Sequence, residues 1–179
     1  MRIISGKYKS RRIQVPTNFK ARPTTDFARE NLFNVLNNII DWEETNALDL
    51  FSGTGSVAIE LVSRGCPRVV CVEMNPLHYN FICKAKDILK ANELFPLKAD
   101  VFKYLSTSHE KFDLIFADPP YEMPDIESIP KLILDKGLLN NGGIFVLEHS
   151  KKYNFAEYDS FQEERVYGSV HFTFFKIKQ

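Results

Sequence analysis

Apolar residues in this chain come in short runs separated by polar, amphipathic stretches. The runs at 47–51, 68–72, 95–99, 112–117 and 143–148 are strand-length and dense in Val, Ile, Leu and Phe, so they predict buried strands. Helical periodicity fills the intervals at 56–64, 76–91, 101–106 and 126–136. Strands alternating with helices predict an α/β fold with a largely parallel sheet, and right-handed crossovers place helices on both faces. The end of the chain differs. Residues 162–167 and 170–177 flank Gly168-Ser169, which predicts an antiparallel hairpin and brings the strands to seven.

Upstream, Ala28, Leu32, Val35, Leu36 and Ile39 recur at offsets of four, seven, eight and eleven, predicting a helix that starts near Thr24 or Thr25, with Thr24, Thr25 and Asp26 as candidate N-caps. Before it, Arg2-Ile3-Ile4 and Arg12-Ile13-Gln14-Val15 flank a polar tract, which predicts a small basic β-hairpin too short to stand alone. The 179 residues fit one domain: an N-terminal extension over 1–23 and an α/β core over 24–179.

Charge adds one feature. The chain is neutral overall, yet residues 1–30 hold eight Lys or Arg against Asp26 and Glu30, a local +6 balanced by −6 elsewhere. Arg2, Lys7, Lys9, Arg11, Arg12 and Arg22 form a candidate phosphate-contacting patch, and Arg22 and Arg29 flank a helix N-terminus, where anions are welcome. No apolar run reaches spanning length, and the first residues lack a signal peptide's apolar core, so a cytoplasmic protein is expected. Cys66, Cys71 and Cys83 are odd in number and lack CxxC spacing. They read as buried thiols, with no metal site expected.

The candidate chemistry lies at strand ends. Asp118-Pro119-Pro120-Tyr121 follows the run 112–117, and its prolines stiffen an extended backbone there. A carboxylate, a carbonyl with no N–H beside it and an aromatic ring suit a planar amino group. Asp49-Leu50-Phe51-Ser52-Gly53-Thr54-Gly55 closes the first strand with glycines where a backbone turns sharply toward a ligand. Glu73 ends the second strand, where a carboxylate can accept from a ribose diol, and Asp100 ends the third, where it can accept from an adenine amine. Gly53 to Ala58 also satisfies a loose G-x-G-x-x-A dinucleotide fingerprint, so a nicotinamide oxidoreductase is an alternative. Asp49 and Phe51 ahead of the glycines, and the Asp-Pro-Pro-Tyr turn, argue against it.

D-x-F-x-G-x-G, Glu73, Asp100 and D-P-P-Y in this order resemble the amino-group class of S-adenosylmethionine-dependent methyltransferases. Arg2-Ile3-Ile4-Ser5-Gly6, Arg11-Arg12-Ile13, Arg22-Pro23-Thr24-Thr25-Asp26 and Leu32-Phe33-Asn34 narrow the resemblance to the RsmD-like 16S rRNA (guanine-N2)-methyltransferases, over nearly the whole chain. Phe27 and the acidic Glu122-Met123-Pro124-Asp125 depart from the family pattern, which is basic at the first position and in some relatives at the second. The resemblance implies a Rossmann-like class I methyltransferase fold with S-adenosylmethionine as cofactor. It implies 16S rRNA of assembling small subunits as partner, with no membrane partner and a monomer favoured. It also implies a cofactor-facing set of Thr24, Thr25, Asp49, Phe51, Gly53, Gly55, Glu73, Met74, Asp100, Val101 and Asp118.

On this reading the Asp118 carboxylate and Pro119 carbonyl accept the two amine protons, and Tyr121 stacks on a base drawn out of its neighbours. D-P-P-Y serves any exocyclic amine, so a DNA adenine-N6 methyltransferase is an alternative, as is a non-catalytic RNA-binding assembly factor. His149 is expected to shape the site wall, His109 and His171 to lie on the surface, and Phe172, Phe174 and Phe175 to belong to the core.

Overall fold

Alternate residues of the strands divide between two cores, which is why the strand sequences read as almost continuously apolar. The computed structural model describes residues 1–17, 19 and 26–177. In chain order the helices and strands are α1 (Asp26–Leu36), β1 (Asn46–Leu50), α2 (Ser56–Arg64), β2 (Arg68–Val72), α3 (Pro76–Leu89), β3 (Leu94–Leu97), α4 (Val101–Thr107), β4 (Phe112–Ala117), α5 (Ser128–Asp135), β5 (Leu139–His149), β6 (Phe161–Tyr167) and β7 (Val170–Lys176). One core joins Ala47, Cys71, Phe116, Val146, Phe172 and Phe174 to α1, α2 and α3. The other joins Leu48, Leu50, Ile115, Phe145 and Phe175 to α4 and α5. Burying each such phenylalanine contributes roughly 2 kcal/mol.

The described strands form one sheet in the order β3-β2-β1-β4-β5-β7-β6, parallel from β3 to β5 and antiparallel at β7 and β6. The order reverses direction between β1 and β4. In an open parallel sheet that switch point leaves a crevice at the carboxyl ends of the strands.

Most element ends lie within two residues of expectation, and two differ by more. β5 starts at Leu139 rather than at 143, because Leu139 already pairs with Phe112 before the register shifts to Leu114 with Ile144. Asn140-Asn141-Gly142-Gly143 supplies that irregularity, with Gly142 at φ 76. α1 buries Ala28, Arg29, Leu32, Phe33 and Leu36, whereas Ile39 lies beyond its end and is exposed.

The N-terminal hairpin is reduced to a single antiparallel bridge, Arg2 with Arg12, around a 3-10 turn at Gly6–Tyr8. The reason is competition. Glu60 on α2 takes the N–H groups of Ile4 and Ser5 at 2.8 and 2.9 Å, and Ser63 takes that of Tyr8 at 3.0 Å. Donors that a ladder would use are spent on the helix. Ile3, Tyr8 and Ile13 are buried in the core beside it. Gly6, at φ 78, has no room for a side chain, since a Cβ there would lie 1.7 Å from the Ser63 carbonyl oxygen.

No helix among the described residues is long and apolar enough to cross a membrane. Cys66 and Cys71 are buried free thiols, and burial pushes Cys66 up to about 12, while Cys83 is half-buried. Phe172, Phe174 and Phe175 are core residues as expected, and His109 is exposed. His171 is not a free surface group: it bonds Glu164 at 2.7 Å.

Candidate active site

A row of backbone hydrogen bonds ties the carboxyl ends of four neighbouring strands together. Glu73 N–H donates to Leu97 O at 3.0 Å, Ser52 N–H to Val72 O at 3.1 Å and Asp118 N–H to Leu50 O at 3.4 Å. The loops after β1, β2 and β4 therefore leave the sheet side by side. Asp100, which follows β3 and opens α4, lies on the same edge.

The loop after β1 is built on backbone that turns left-handed three times, at Phe51 (φ 59), Gly53 (φ 54) and Gly55 (φ 71). Phe51 adopts this costly conformation without being glycine, with its ring edge-on to Phe102. The two glycines serve different ends. A Cβ on Gly55 would press on Ile82 of α3 at 3.0 Å, so that glycine allows close packing of helix on loop. A Cβ on Gly53 would find only the Phe51 carbonyl oxygen, at 3.9 Å, so its open side is free for a ligand.

Asp49 lies beneath this loop rather than on its surface. It is 1% exposed and accepts the N–H of Ala58, in the first turn of α2, at 3.2 Å. Burial pushes its carboxyl up to about 7, partly offset by hydrogen bonds from Ser52 and Ala58. Asp49 braces the loop from the strand below it.

Glu73 links two loops. Its Oε2 accepts the Gly53 N–H at 2.7 Å and its Oε1 the Asn75 N–H at 2.7 Å. Nδ1 of His78 lies 3.9 Å from Oε1, and the His78 ring is stacked on Phe19 at 4.6 Å. Phe19 and His78 escaped the sequence reading, because nothing local signals that a residue of the N-terminal segment meets α3 beside Glu73.

Asp100 is exposed and caps α4, its Oδ1 accepting from Lys103 N–H at 2.9 Å. Met74, 63% exposed, lines with Ala99, Asp100, Lys103 and Tyr104 a shallow cavity of about 490 Å³, while Val101 is buried behind it.

On the β4 side, Asp118 is half-buried, Pro119 buried and Pro120 exposed. Tyr121 donates its phenol proton to Oε1 of Glu148 at 3.0 Å, and Glu148 is only 3% exposed at the end of β5. Glu148 was read only as the end of a strand, yet it anchors the ring. His149 is fully buried. Its Nδ1 donates to the Ser150 carbonyl at 2.9 Å and its Nε2 accepts from the Thr173 hydroxyl at 2.7 Å, the arrangement of a neutral imidazole whose pKa burial has lowered. It is a buried link between β5 and β7.

The candidate RNA cations are dispersed. Arg2 pairs with Glu30 of α1 at 2.5 Å, and Lys7 pairs with Glu93, which precedes β3 and so belongs to the opposite, amino edge of the sheet. Lys9, Arg11 and Arg12 are exposed. Arg29 is not available to an anion at all: it is 3% exposed and donates to the Arg2 carbonyl and to Asp26. Arg22, Thr24 and Thr25 lie outside the described residues.

A family model described as conserved hypothetical protein 95 matches residues 1–176. Ribosomal RNA small subunit methyltransferase D of Buchnera aphidicola subsp. Baizongia pistaciae is 31% identical over 154 residues, which span 86% of this chain and 78% of that protein. The Escherichia coli K12 protein of the same name is 30% identical over 148 residues, 83% of this chain and 74% of that one. Among solved structures, yhhF from Escherichia coli matches with a TM-score of 0.87 at 26% identity, covering 99% of this chain and 98% of that chain. The chain belongs to the conserved hypothetical protein 95 family and is an RsmD-like methyltransferase with the class I fold.

Proposed function

We propose that this chain, acting as a single cytoplasmic domain, methylates the exocyclic N2 amine of a guanine in 16S rRNA. The observation that carries the reading is the adjacency of Asp118 and Leu50 across the switch point, which sets the amine-accepting turn beside the glycine loop. The relatives' designation as small-subunit rRNA methyltransferases supports the choice of RNA.

The donor set fits S-adenosylmethionine. The open side of Gly53 leaves room against the loop backbone, and each Glu73 oxygen, with one backbone N–H bound, keeps capacity for a ribose hydroxyl. Asp100 has acceptor capacity beyond its cap for an adenine amine, and Met74 lines the same cavity. The family resemblance assigns Thr24 and Thr25 to the methionine end of the cofactor. When bound, this cofactor supplies an electrophilic methyl group on a sulfonium. The protein's part is orientation: Asp118 and the Pro119 carbonyl accept the amine protons and turn the nitrogen lone pair toward the methyl, and Tyr121, fixed by Glu148, stacks on the base. Methylation releases one proton, and Asp118 is the motif's ionisable acceptor for it.

The test is mass-spectrometric mapping of nucleotides after incubation with isotope-labelled cofactor, using rRNA and small subunits from cells lacking the protein. One labelled N2-methylguanine in 16S rRNA is expected. Label on adenine N6, or none, overturns the proposal.

A further inference from the structure

Phe27 is 64% exposed in the first turn of α1, and its ring meets Tyr167 edge-on at 6.2 Å with an interplanar angle of 82°. Tyr167 is itself held from behind by Phe172, at 6.1 Å. A T-shaped contact to a backed ring holds Phe27 while the residue stays mostly open to solvent.

The place of this pair in the fold matters more than its exposure. Tyr167 ends β6 at the turn into β7, and β7 runs antiparallel to β5 with His171 opposite His149. The turn therefore lies at the carboxyl edge, the edge that carries Asp118 and Tyr121. Glu148, which anchors Tyr121, is paired with Phe172, which is paired in turn with Arg165 on β6. Arg165 is thus about two strand spacings, on the order of 10 Å, from the Glu148 anchor, and Tyr167 lies two residues further toward the carboxyl edge. Charge follows on the other side. Glu30, three residues from Phe27 and so on the same face of α1, holds Arg2, and Arg2 is bridged to the exposed Arg12. An aromatic ring beside the site, with the Arg2–Glu30 pair one helical turn along α1 and the exposed Arg12 bridged to Arg2, suits an unpaired nucleotide held by base stacking, with Arg12 left for phosphate contact.

We propose that Phe27, backed by Tyr167, is a stacking platform for an unpaired RNA base flanking the target nucleotide, an inference that rests on the reading of the chain as an RNA methyltransferase. On this proposal Phe27 acts on substrate binding and not on cofactor binding or methyl transfer.

The test compares wild type with Phe27→Ala and Phe27→Trp. Because the side chain is exposed, both variants should unfold at the wild-type temperature, and calorimetry should give them wild-type affinity for S-adenosylmethionine. In steady-state methylation of small subunits, Phe27→Ala should raise KM about tenfold with kcat changed by less than about twofold, and Phe27→Trp should restore KM. A Phe27→Ala KM within about twofold of wild type overturns the platform. Binding of single-stranded RNA carrying 2-aminopurine is measured alongside, which separates the platform from the parent reading. If wild type methylates no RNA, the parent reading fails, yet fluorescence quenching by wild type and not by Phe27→Ala still supports the platform. Equal quenching by both proteins overturns it and leaves the aromatic pair as a contact for another protein.

Discussion

The phenol of Tyr121 donates to the buried carboxylate of Glu148 at 3.0 Å, so the aromatic residue of the proline turn on β4 is fixed by the end of β5. A hydrogen bond to a carboxylate in a part-buried setting contributes about 2 kcal/mol. Tyr121→Phe keeps the ring and removes the tether. It should lower stability in urea by about that amount and reduce kcat/KM for RNA about tenfold, with cofactor affinity unchanged. Full activity in Tyr121→Phe would mean that the ring needs no fixed orientation.

Asp118 contributes its backbone N–H to the Leu50 carbonyl and its side chain to the candidate chemistry, and a substitution separates the two. Asp118→Ala retains the backbone bond, so the fold and cofactor affinity should stay near wild type while methyl transfer falls by about two to four orders of magnitude. A tritiated-methyl assay with calorimetry reads both. Turnover close to wild type would remove Asp118 from the mechanism.

Asp49 makes stability depend on pH with a sign unusual for an aspartate. Burial holds its native pKa at about 7 against an ordinary value of 3.8. Between those values the native state binds more protons than the unfolded chain, so this residue's contribution to stability falls as pH rises from about 4 to 7 and levels off above. Asp49→Asn is neutral in both states. The stability of wild type relative to Asp49→Asn, from urea unfolding at several pH values, should therefore decline through that window. A constant difference would show that Asp49 titrates at its ordinary value.

Gly6 tests how the N-terminal segment is attached. A side chain there collides with the Ser63 carbonyl, which is helix backbone and cannot move aside, and φ 78 adds strain. Gly6→Ala should release the bonds to Glu60 and Ser63 and destabilise the protein by about 2–4 kcal/mol. Hydrogen exchange should then quicken at Ile4, Ser5 and Tyr8. Unchanged protection at those amides would contradict the clamp.

These cases separate what the sequence could carry from what it could not. Strand ends and the residues just after them were legible, because each buried strand is a short apolar run and Glu73, Asp100 and Asp118 are the first acids beyond three of them. Glu60 and Ser63 were not. Their partners are Ile4, Ser5 and Tyr8, more than fifty residues away, and an acid inside an amphipathic helix ordinarily faces water. Sequence distance also hid the pairing of Lys7 with Glu93, and no local pattern marks the burial of Arg29 against Arg2 and Asp26, so charge clustered in sequence became dispersed in the fold. Asp49 was found as part of a motif, but its place beneath the loop follows from the strand's alternation, which a fully buried strand does not display.

That division makes the basic segment testable residue by residue. Arg11 and Arg12 are exposed, whereas Lys7 is bound to Glu93 at the amino edge. If the segment neutralises phosphates, each free cation in contact adds roughly 0.7–0.9 to the slope of log K against log salt. Charge reversal of Arg11 and Arg12 together should weaken RNA binding and flatten that slope by about 1.5, leaving cofactor affinity alone. Lys7→Gln should change the slope by much less, because its charge is already compensated by Glu93 at the amino edge, opposite the edge that carries Asp118. Binding measured between 50 and 200 mM salt decides it. An unchanged slope in the Arg11/Arg12 variant makes these residues a solvated surface, and an equal loss in Lys7→Gln would mean that the RNA wraps from the catalytic edge round to the other end of the sheet.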